Sequence, residues 1–264
     1  MSGALLNVDD ITLEFAGVRA LDRVSLDVEQ GALVAVIGPN GAGKTSLFNC
    51  ISAVYRPQRG RVTFDGRDVA RLATHDTARC GIARTFQELA LFDNLSVLDN
   101  LLVGRHHLVD TRLWQHLLST PGAVRGEVAH RKRVEEIIEF LDLERYRETP
   151  VIVLPYGVRK RVELGRALAM EPRLLLLDEP AAGLNQEETE DMARYVLDLK
   201  EELGVTLILI EHHLSFVMDL ADRVVVLEFG RKIADALPGE VERDPRVIAA
   251  YIGGAAQPRG DSAP

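Results

Sequence analysis

The sequence predicts an α/β fold that consists of an N-terminal antiparallel β region, a core of buried strands alternating with helices, and an inserted block of helices. Three observations lead to this prediction. Two short apolar runs, residues 174–177 and 205–210, have the length and composition of strands buried on both faces. Residues 20–28 alternate between apolar and polar side chains, as a half-buried antiparallel strand does. Between positions 134 and 141 the apolar residues recur with the period of a helix.

The composition is that of an ordinary globular protein of 264 residues, with 47% hydrophobic and 27% charged residues. The net charge of −9 argues against non-specific binding to nucleic acid, so we expect no nucleic-acid partner. Cys50 and Cys80 are too few for a disulfide framework or a zinc site, which agrees with a reducing cytosol. Since the sequence has neither a signal peptide nor an apolar run long enough to span a bilayer, we expect it to reach a membrane only through a partner.

The N-terminal region is predicted to form strands over residues 6–15, 20–28 and 61–64. Asp65 and Gly66 are the dipeptide typical of a two-residue hairpin turn. Phe15 ends the first strand. Taken alone, an aromatic side chain there more often belongs to a core than to a ligand site.

Residues 38–45, with the sequence GPNGAGKT, fit the pattern G-x-x-x-x-G-K-[ST] of a phosphate-binding loop. A β-branched run precedes this phosphate loop and residues 46–51 can follow it as a helix, which is the context that the motif requires. Lys44 would reach the β- and γ-phosphates, and the Thr45 hydroxyl would coordinate Mg²⁺. The alternative is a glycine-rich turn with a surface lysine. The predicted nucleotide contacts are Gly38, Asn40, Gly41, Ala42, Gly43, Lys44, Thr45 and Ser46.

The ends of three predicted strands carry side chains suited to nucleotide chemistry. Asp178 and Glu179 follow the apolar run 174–177, and because side chains alternate along a strand they cannot share one role. One of them can approach Mg²⁺ and the other a water molecule. His212 follows the second apolar run and is a candidate phosphate sensor, although a lone histidine at a strand end is usually structural. Gln87 closes a shorter strand and leaves its amide near the edge of the sheet where α/β sites form.

The helical block is an insertion of residues 88–160 within one predicted domain of residues 1–264. Ser96 and Asp99 resemble a capping box that opens its first helix. Residues 104–127 are expected to form short helical pieces. The last helix of the block carries an apolar stripe, formed by Val134, Ile137, Ile138 and Leu141.

Two longer helices are predicted after this block. The first covers residues 159–170, and Pro155 is interpreted as a proline just inside a helix start. The second begins near Glu187 and ends at Gly204. Its inward-facing side chains are predicted to be Met192, Val196, Leu199 and Leu203.

The C-terminal residues are predicted to complete the sheet and to extend beyond it. Residues 224–228 and 232–234 are the last two strands. An extension over residues 236–264 contains a short helix at 245–253 and ends in a loose tail at 255–264.

Taken in order, these segments resemble the nucleotide-binding subunit of an ABC transporter, a P-loop NTPase with a RecA-like core. The ordered set is 38–45, Gln87, 154–158, 174–179, 182–185 and His212, and it covers almost the whole chain. The resemblance implies that Phe15 stacks on adenine, that Gln87 contacts Mg²⁺ and the membrane subunits, and that Asp178 is linked to magnesium. It also implies that Glu179 is the general base and that His212 is the switch histidine.

Residues 154–158 take the place of the family's signature segment. The resemblance implies that the backbone near Tyr156 and Gly157 contacts the γ-phosphate, and that Asn185 is a further nucleotide contact. Pro155 stands where the family commonly has a serine and Val158 where it has a glutamine, and His213 replaces an acid. The first two replacements affect the predicted strength of the site.

The segment Leu-Pro-Tyr-Gly at 154–157, together with residues 178–185, is similar to the branch that powers import of branched-chain amino acids and of relatives such as urea. Residues 104–127 and 244–253 resemble the same branch. The implied ligands are ATP and Mg²⁺. The implied partners are a second ATP-binding subunit, identical or homologous, two transmembrane permease subunits and, indirectly, a periplasmic or lipid-anchored solute-binding protein. The implied location is the cytoplasmic face of the cell membrane.

Other functions stay open at this stage. A related system could import another amide or amino acid, or export lipopolysaccharide, although an export ATPase would be shorter at 104–127. A soluble ABC-type ATPase of DNA repair, translation or cluster assembly is a further alternative. A repair protein would carry long insertions and a translation factor a second cassette, and this sequence has neither. Glu179 and His212 argue against a regulatory nucleotide binder without catalytic activity.

Overall fold

The computed structural model of the chain describes residues 4–69, 72–85, 89–108 and 121–253. It contains two compact units: Met1–Arg71 with Ile208–Pro264 form the first, and Leu72–Leu207 form the second. Gln87, residues 109–120 of the expected short helical pieces, and the predicted tail at 255–264 lie outside the described residues.

The helices and strands of the described residues follow the predicted order. The strands are β1 (Leu6–Phe15), β2 (Val18–Val28), β3 (Leu33–Ile37), β4 (Arg59–Phe64), β5 (Arg67–Asp68), β6 (Ile82–Arg84), β7 (Leu174–Asp178), β8 (Thr206–Ile210), β9 (Arg223–Glu228) and β10 (Arg231–Ala236). The α-helices are α1 (Lys44–Ile51), α2 (Thr74–Cys80), α3 (Val97–Gly104), α4 (Pro121–Phe140), α5 (Tyr156–Leu168), α6 (Gln186–Glu201), α7 (Leu214–Leu220), α8 (Pro238–Val241) and α9 (Pro245–Gly253).

An antiparallel sheet in the first unit has the strand order β2-β1-β4-β5. β1 and β2 pair from Leu6 opposite Val28 to Phe15 opposite Val18, with several register shifts between. Asp65 and Gly66 both have positive φ angles, as a two-residue turn between β4 and β5 requires. The predicted antiparallel region and its hairpin turn are therefore confirmed.

The first unit also contains strands in the order β10-β9-β3. β3 runs parallel to β9, β10 is antiparallel to β9, and all five residues of β3 are buried. A parallel strand that is buried along its length leads directly to the phosphate loop, as the sequence predicts. The boundary between the two units falls within β8, after Leu207.

In the second unit, β6 and β7 are parallel. Along the chain, α2 precedes β6, α3–α5 lie between the two strands and α6 follows β7. The apolar stripe of α4 is buried, as its period predicts: Val134, Ile137, Ile138 and Leu141. Ser96 caps α3, because its hydroxyl accepts a hydrogen bond from the backbone N–H of Asp99 at 3.1 Å.

Two predicted helix features are wrong. α5 begins at Tyr156, three residues before the expected start, because Pro155 lies at the N-cap position with an extended ψ of 152° and not inside the helix. Its carbonyl accepts the N–H of Arg159 at 3.0 Å and so starts the helix. Leu203 lies beyond the end of α6 and is exposed, whereas Met192, Val196 and Leu199 are buried as predicted.

Across the parts of the chain that the structure describes, every helix is too short or too polar to cross a membrane.

Candidate functional site

The shape of the phosphate loop, between β3 and α1, depends on glycine at its first position. Gly38 has a φ of +148°, which L-residues rarely adopt, and a Cβ atom there would overlap the carbonyl oxygen of Leu227 in β9. The backbone N–H of Gly230, in the turn between β9 and β10, donates to the Ala42 carbonyl at 2.9 Å. The loop is therefore packed directly against the end of β9.

Lys44, the first residue of α1, folds back over the phosphate loop. Its side chain is buried, with 6% of the residue exposed, and Nζ donates to the carbonyls of Gly38 at 2.7 Å and Pro39 at 3.0 Å. Thr45 follows with an exposed side chain. A buried cation beside the positive end of a helix suits this loop to a multiply charged anion.

Phe15, the last residue of β1, presents an aromatic surface to solvent. The residue is 45% exposed, and its ring packs edge-on against Tyr55 with a centroid distance of 5.0 Å. Phe15 is therefore not a core residue, so packing in a hydrophobic core does not explain the aromatic side chain at this position. The sequence analysis did not identify Tyr55, because no local pattern around this residue predicts a contact with Phe15.

The C-terminal helix α9 brings a half-buried tyrosine with a buried hydroxyl to the same unit. Burial raises the pKa of Tyr251, and the backbone amide of Gly38 opposes this effect in part. Among the described residues no group forms a hydrogen bond of good geometry with its hydroxyl. Sequence reasoning identified this helix but not its tyrosine.

Asp178 ends β7 and is held by a buried ion pair. It is 3% exposed, and Nη2 of Arg84 in β6 lies 2.8 Å from its Oδ2. The backbone N–H of Asp178 donates to the Thr85 hydroxyl at 3.1 Å. β6 and β7 are parallel, and their ends lie at the same edge of the sheet. The contacts of Arg84 and Thr85 with Asp178 could therefore be predicted only by first predicting that these two strands pair.

Glu179 follows in a left-handed conformation, with a φ of +50°. Non-glycine residues adopt this conformation at a cost, and such residues cluster at functional sites. The Glu179 carbonyl accepts hydrogen bonds from the N–H of Ala182 at 3.2 Å and from Nζ of Lys160 at 3.3 Å. Lys160, a residue of α5, is 2% exposed. A buried lysine thus connects the helix of the signature segment to the predicted general base.

The N-terminus of α5 is closely packed against the start of α6. A Cβ atom on Gly157 would overlap the carboxylate of Glu188, so a larger residue there would force the Glu188 side chain to move. The Tyr156 hydroxyl donates to the Ala182 carbonyl at 3.3 Å. Glu188 therefore places a carboxylate next to the first turn of α5.

Asn185 and Glu188 form a capping box at the start of α6. The Asn185 side chain accepts the N–H of Glu188 at 3.0 Å, and the Glu188 carboxylate accepts the N–H of Asn185 at 3.1 Å. The side chain predicted as a nucleotide contact thus also stabilises a helix start.

His212 lies between β8 and α7, at the predicted strand end, with an exposed side chain. Its backbone N–H donates at 3.0 Å to the carboxylate of Glu211, a residue that is itself buried. The carboxylate fixes the backbone and leaves the imidazole at the surface of the first unit.

The geometry can be compared with known families. The family model described as ABC transporter matches residues 21–182, which is more than half of the chain. The chain belongs to the ABC transporter family. A second model, described as branched-chain amino acid ATP-binding cassette transporter, matches residues 231–257. The predicted resemblance and the predicted ABC-type ATPase are confirmed.

Curated relatives of this ABC protein match nearly end to end. The high-affinity branched-chain amino acid transport ATP-binding protein BraF of Pseudomonas aeruginosa is 39% identical over 253 residues, which are 96% of this chain and 99% of BraF. The corresponding protein LivG of Escherichia coli K12 is 36% identical over 253 residues, with the same coverage.

Solved structures give the same fold. A crystal structure of the ADP conformation of an ATP-binding cassette of an ABC transporter superposes with a TM-score of 0.82 at 33% identity, covering 95% of this chain and 99% of that chain. A nucleotide-free cassette superposes with a TM-score of 0.81 at 32% identity. The predicted α/β fold of a P-loop NTPase is confirmed.

Each unit of this cassette carries a separate share of the predicted site. The first holds Phe15, the phosphate loop with Lys44 and Thr45, and His212. The second holds the other described residues of the predicted site: Tyr156, Gly157, Asp178, Glu179 and Asn185. Sequence reasoning missed Arg84, Lys160 and Glu188, all of them charged residues of the second unit.

Proposed function

We propose that this chain is the ATP-binding and ATP-hydrolysing subunit of an importer for branched-chain amino acids. The observation that carries the proposal is the match along almost the whole chain to BraF and LivG, which extends into the C-terminal segment 231–257. The solute is chosen by other subunits of such importers, so the assignment rests on this branch of the family and not on the nucleotide site.

ATP binding is assigned to the first unit. Lys44 exchanges the carbonyls of Gly38 and Pro39 for the β- and γ-phosphates, because two anionic oxygens attract an ammonium more strongly than two amide oxygens. The backbone N–H groups of the phosphate loop and the N-terminus of α1 complete the anion site. The exposed ring of Phe15 receives the adenine.

Mg²⁺ is assigned to oxygen ligands from Thr45, Gln87 and Asp178, the donor type that this ion prefers. Asp178 fits this role, because its pairing with Arg84 at 2.8 Å holds the carboxylate in a fixed orientation. The ion would neutralise charge on the phosphates.

Hydrolysis is assigned to Glu179 as the general base that accepts a proton from the attacking water. Lys160 holds the Glu179 backbone, and His212 is assigned to the γ-phosphate. Two chains pair so that the phosphate loop of one meets Tyr156 and Gly157 of the other. Closure then adds N–H groups and the positive end of α5 to the phosphate site. The second subunit is either a copy of this chain or a homologue.

Two permease subunits are proposed to dock on the second unit. Phe92, Leu95, Ile152 and Val153 are all exposed apolar residues. Their two segments are joined by hydrogen bonds, from the Val151 N–H to the Leu95 carbonyl at 3.1 Å and from the Ile152 N–H to the Asp93 carbonyl at 3.0 Å. An exposed apolar patch on one rigid element suits a protein partner. Through the permeases the chain would lie on the cytoplasmic face of the membrane and act with a periplasmic or lipid-anchored binding protein.

The enzymatic part is tested by ATPase assays over a wide range of protein concentration with Mg²⁺ present. Activity per chain should rise with concentration, because the site needs two chains. Constant activity per chain would contradict the paired site.

The substrate is tested by reconstituting the chain with the permeases and binding protein of its own operon in vesicles. ATP-dependent uptake of leucine, isoleucine or valine is expected. Uptake of urea alone would overturn the proposed solute but not the ATPase.

A further inference from the structure

A cavity of about 600 Å³ opens on the antiparallel region of the first unit, and its lining is strongly basic. Its described lining includes six ionisable side chains: Arg19, Arg23, Arg59, Arg231, Glu14 and Asp22. Four arginines against two carboxylates leave two positive charges in excess, in a chain whose net charge is −9. A local excess of the opposite sign indicates attraction of an anion.

Asp22 is the anchor of this arginine cavity. The residue is 7% exposed, and Arg231 donates to its carboxylate at 2.7 Å and Arg19 at 3.1 Å. Arg23 lies 3.9 Å away. Hydrogen bonding from Arg231 lowers the pKa of Asp22, so the carboxylate is ionised at neutral pH. Glu14 adds a second carboxylate, with Oε2 3.9 Å from Nε of Arg19. Two carboxylates against these three guanidinium groups leave one positive charge in excess.

Arg59 adds the fourth positive charge from β4, where it lies opposite Thr12 of β1. No acidic residue in the described parts of the chain forms an ion pair with it. The neighbouring Gln58 fixes the end of β1 by a reciprocal pair of hydrogen bonds with the backbone of Glu14, at 2.9 and 3.0 Å. Arg59 is therefore adjacent to a residue that is anchored to β1.

The backbone of the cavity has an unusual conformation at two lining residues. Ala16 and Arg23 have φ angles of +46° and +54°, in the left-handed region that non-glycine residues avoid. The Arg23 N–H donates to the Thr12 hydroxyl at 3.3 Å, which holds this conformation. At Ala16 the positive φ belongs to the two-residue turn with Gly17 that joins β1 and β2. Arg23 is left as strain of the kind that persists at binding sites.

The arginine cavity is separate from the predicted nucleotide contacts. Of the described residues that line it, none belongs to the phosphate loop and Phe15 is not among them. Glu14, which lines it, and Phe15 are successive residues of β1, so their side chains point to opposite faces of the strand.

We propose that the arginine cavity binds a small phosphorylated anion carrying at least two negative charges, as a second ligand site of this ATPase. Planar guanidinium groups pair with phosphate oxygens in bidentate fashion, which lysines cannot do. The volume is within the range of small-ligand pockets. Because the site borders the end of β1 that carries Phe15, its occupancy would bear on nucleotide binding.

The test is isothermal titration of inorganic pyrophosphate into the Lys44→Ala variant, in which the phosphate loop has lost its cation. We expect binding of pyrophosphate that Arg59→Gln weakens about tenfold, the loss of one charge-assisted hydrogen bond. Arg61→Gln is the matched control, because Arg61 is exposed on the same strand two residues away and does not line the cavity. Arg19→Gln in the same background repeats the test from β2.

Two results would overturn the proposal: no binding of pyrophosphate in the Lys44→Ala background, or equal weakening by Arg59→Gln and Arg61→Gln. Thermal melting of each variant verifies that it is folded. The Lys44→Ala background makes the outcome independent of ATP hydrolysis, so failure here leaves the proposed ATPase function untouched.

Discussion

Each unit contains one buried lysine that donates hydrogen bonds to backbone carbonyls. The two lysines differ in whether the accepting residue is near them in the chain or in a distant segment. Lys44 is 6% exposed and binds the Gly38 and Pro39 carbonyls of its own phosphate loop. Lys160 is 2% exposed and binds the carbonyl of Glu179, 19 positions away. The first lysine closes a local loop, and the second joins a helix to a strand end.

We therefore distinguish an exchangeable contact, whose acceptors a ligand can replace, from a tether, which holds a distant backbone segment in place. The acceptors of Lys44 border the predicted phosphate site, so anionic oxygens can replace them. The acceptor of Lys160 is the backbone of the predicted general base, and its loss would displace Glu179 without removing any nucleotide contact. Although the two lysines are similarly buried and form similar hydrogen bonds, their replacement is expected to have different effects. Replacing Lys44 should weaken ATP binding, and replacing Lys160 should slow ATP hydrolysis.

The largest effect is expected from Glu179→Gln, which retains the shape of the side chain but removes its ability to accept a proton. ATP hydrolysis should fall by on the order of 10²–10⁴-fold. Phosphate release at saturating ATP measures this, with Glu187→Gln on α6 as the control. A variant that hydrolyses ATP near the wild-type rate would exclude Glu179 as the base.

Lys44→Ala should abolish tight ATP binding, since it removes the cation from the phosphate loop. A loss on the order of 10²-fold in affinity is expected from two charge-assisted hydrogen bonds. Calorimetric titration with ATP measures it. Unchanged affinity would refute the assignment of the loop and with it the exchangeable character of this lysine.

Lys160→Met tests the tether, because methionine fills similar space without donating a hydrogen bond. Hydrolysis should fall about tenfold through misplacement of Glu179, while ATP affinity stays at the wild-type value. Lys132→Met, at an exposed lysine of α4, is the control. If affinity falls instead of the rate, the distinction between the two lysines is wrong.

The smallest effect is expected from Asn185→Ala, which removes the cap of α6. The free energy of unfolding should decrease by about 1 kcal/mol, as measured by urea denaturation. Gln186→Ala, one position later, should leave it nearly unchanged. Equal effects of the two substitutions would mean that the capping box contributes nothing to stability.

Local sequence signals predicted the parts of the molecule that depend on local chemistry. The phosphate loop and the strand that ends at Asp178 lie where their motif and apolar run place them. Each is specified by a short run of consecutive residues. In the phosphate loop, one of these is the glycine at position 38, whose backbone conformation L-residues rarely adopt.

Contacts between distant residues were not predictable in this way. Arg84 and Asp178 are 94 positions apart, and only the parallel pairing of β6 with β7 brings them together. The contact of Lys160 could not be predicted either, because its burial depends on the packing of α5. The position of Pro155 was misjudged because a proline at the N-cap and one inside the first turn give similar sequence patterns. The early start of α5 was missed because Gly157 and Val158 are weak helix formers.

The most direct test of the paired site mixes inactive variants and measures ATP hydrolysis. Lys44→Ala inactivates the phosphate loop, and Gly157→Val inactivates the signature segment, since a side chain there would overlap Glu188. A mixed pair of these two chains retains one intact site, formed by Lys44 and Glu179 of one chain with Gly157 of the other. We expect this mixture to recover activity, whereas Lys44→Ala mixed with Glu179→Gln should not, because every site then lacks one residue. No recovery in the first mixture, or equal recovery in both, would contradict a site shared between two copies of this chain.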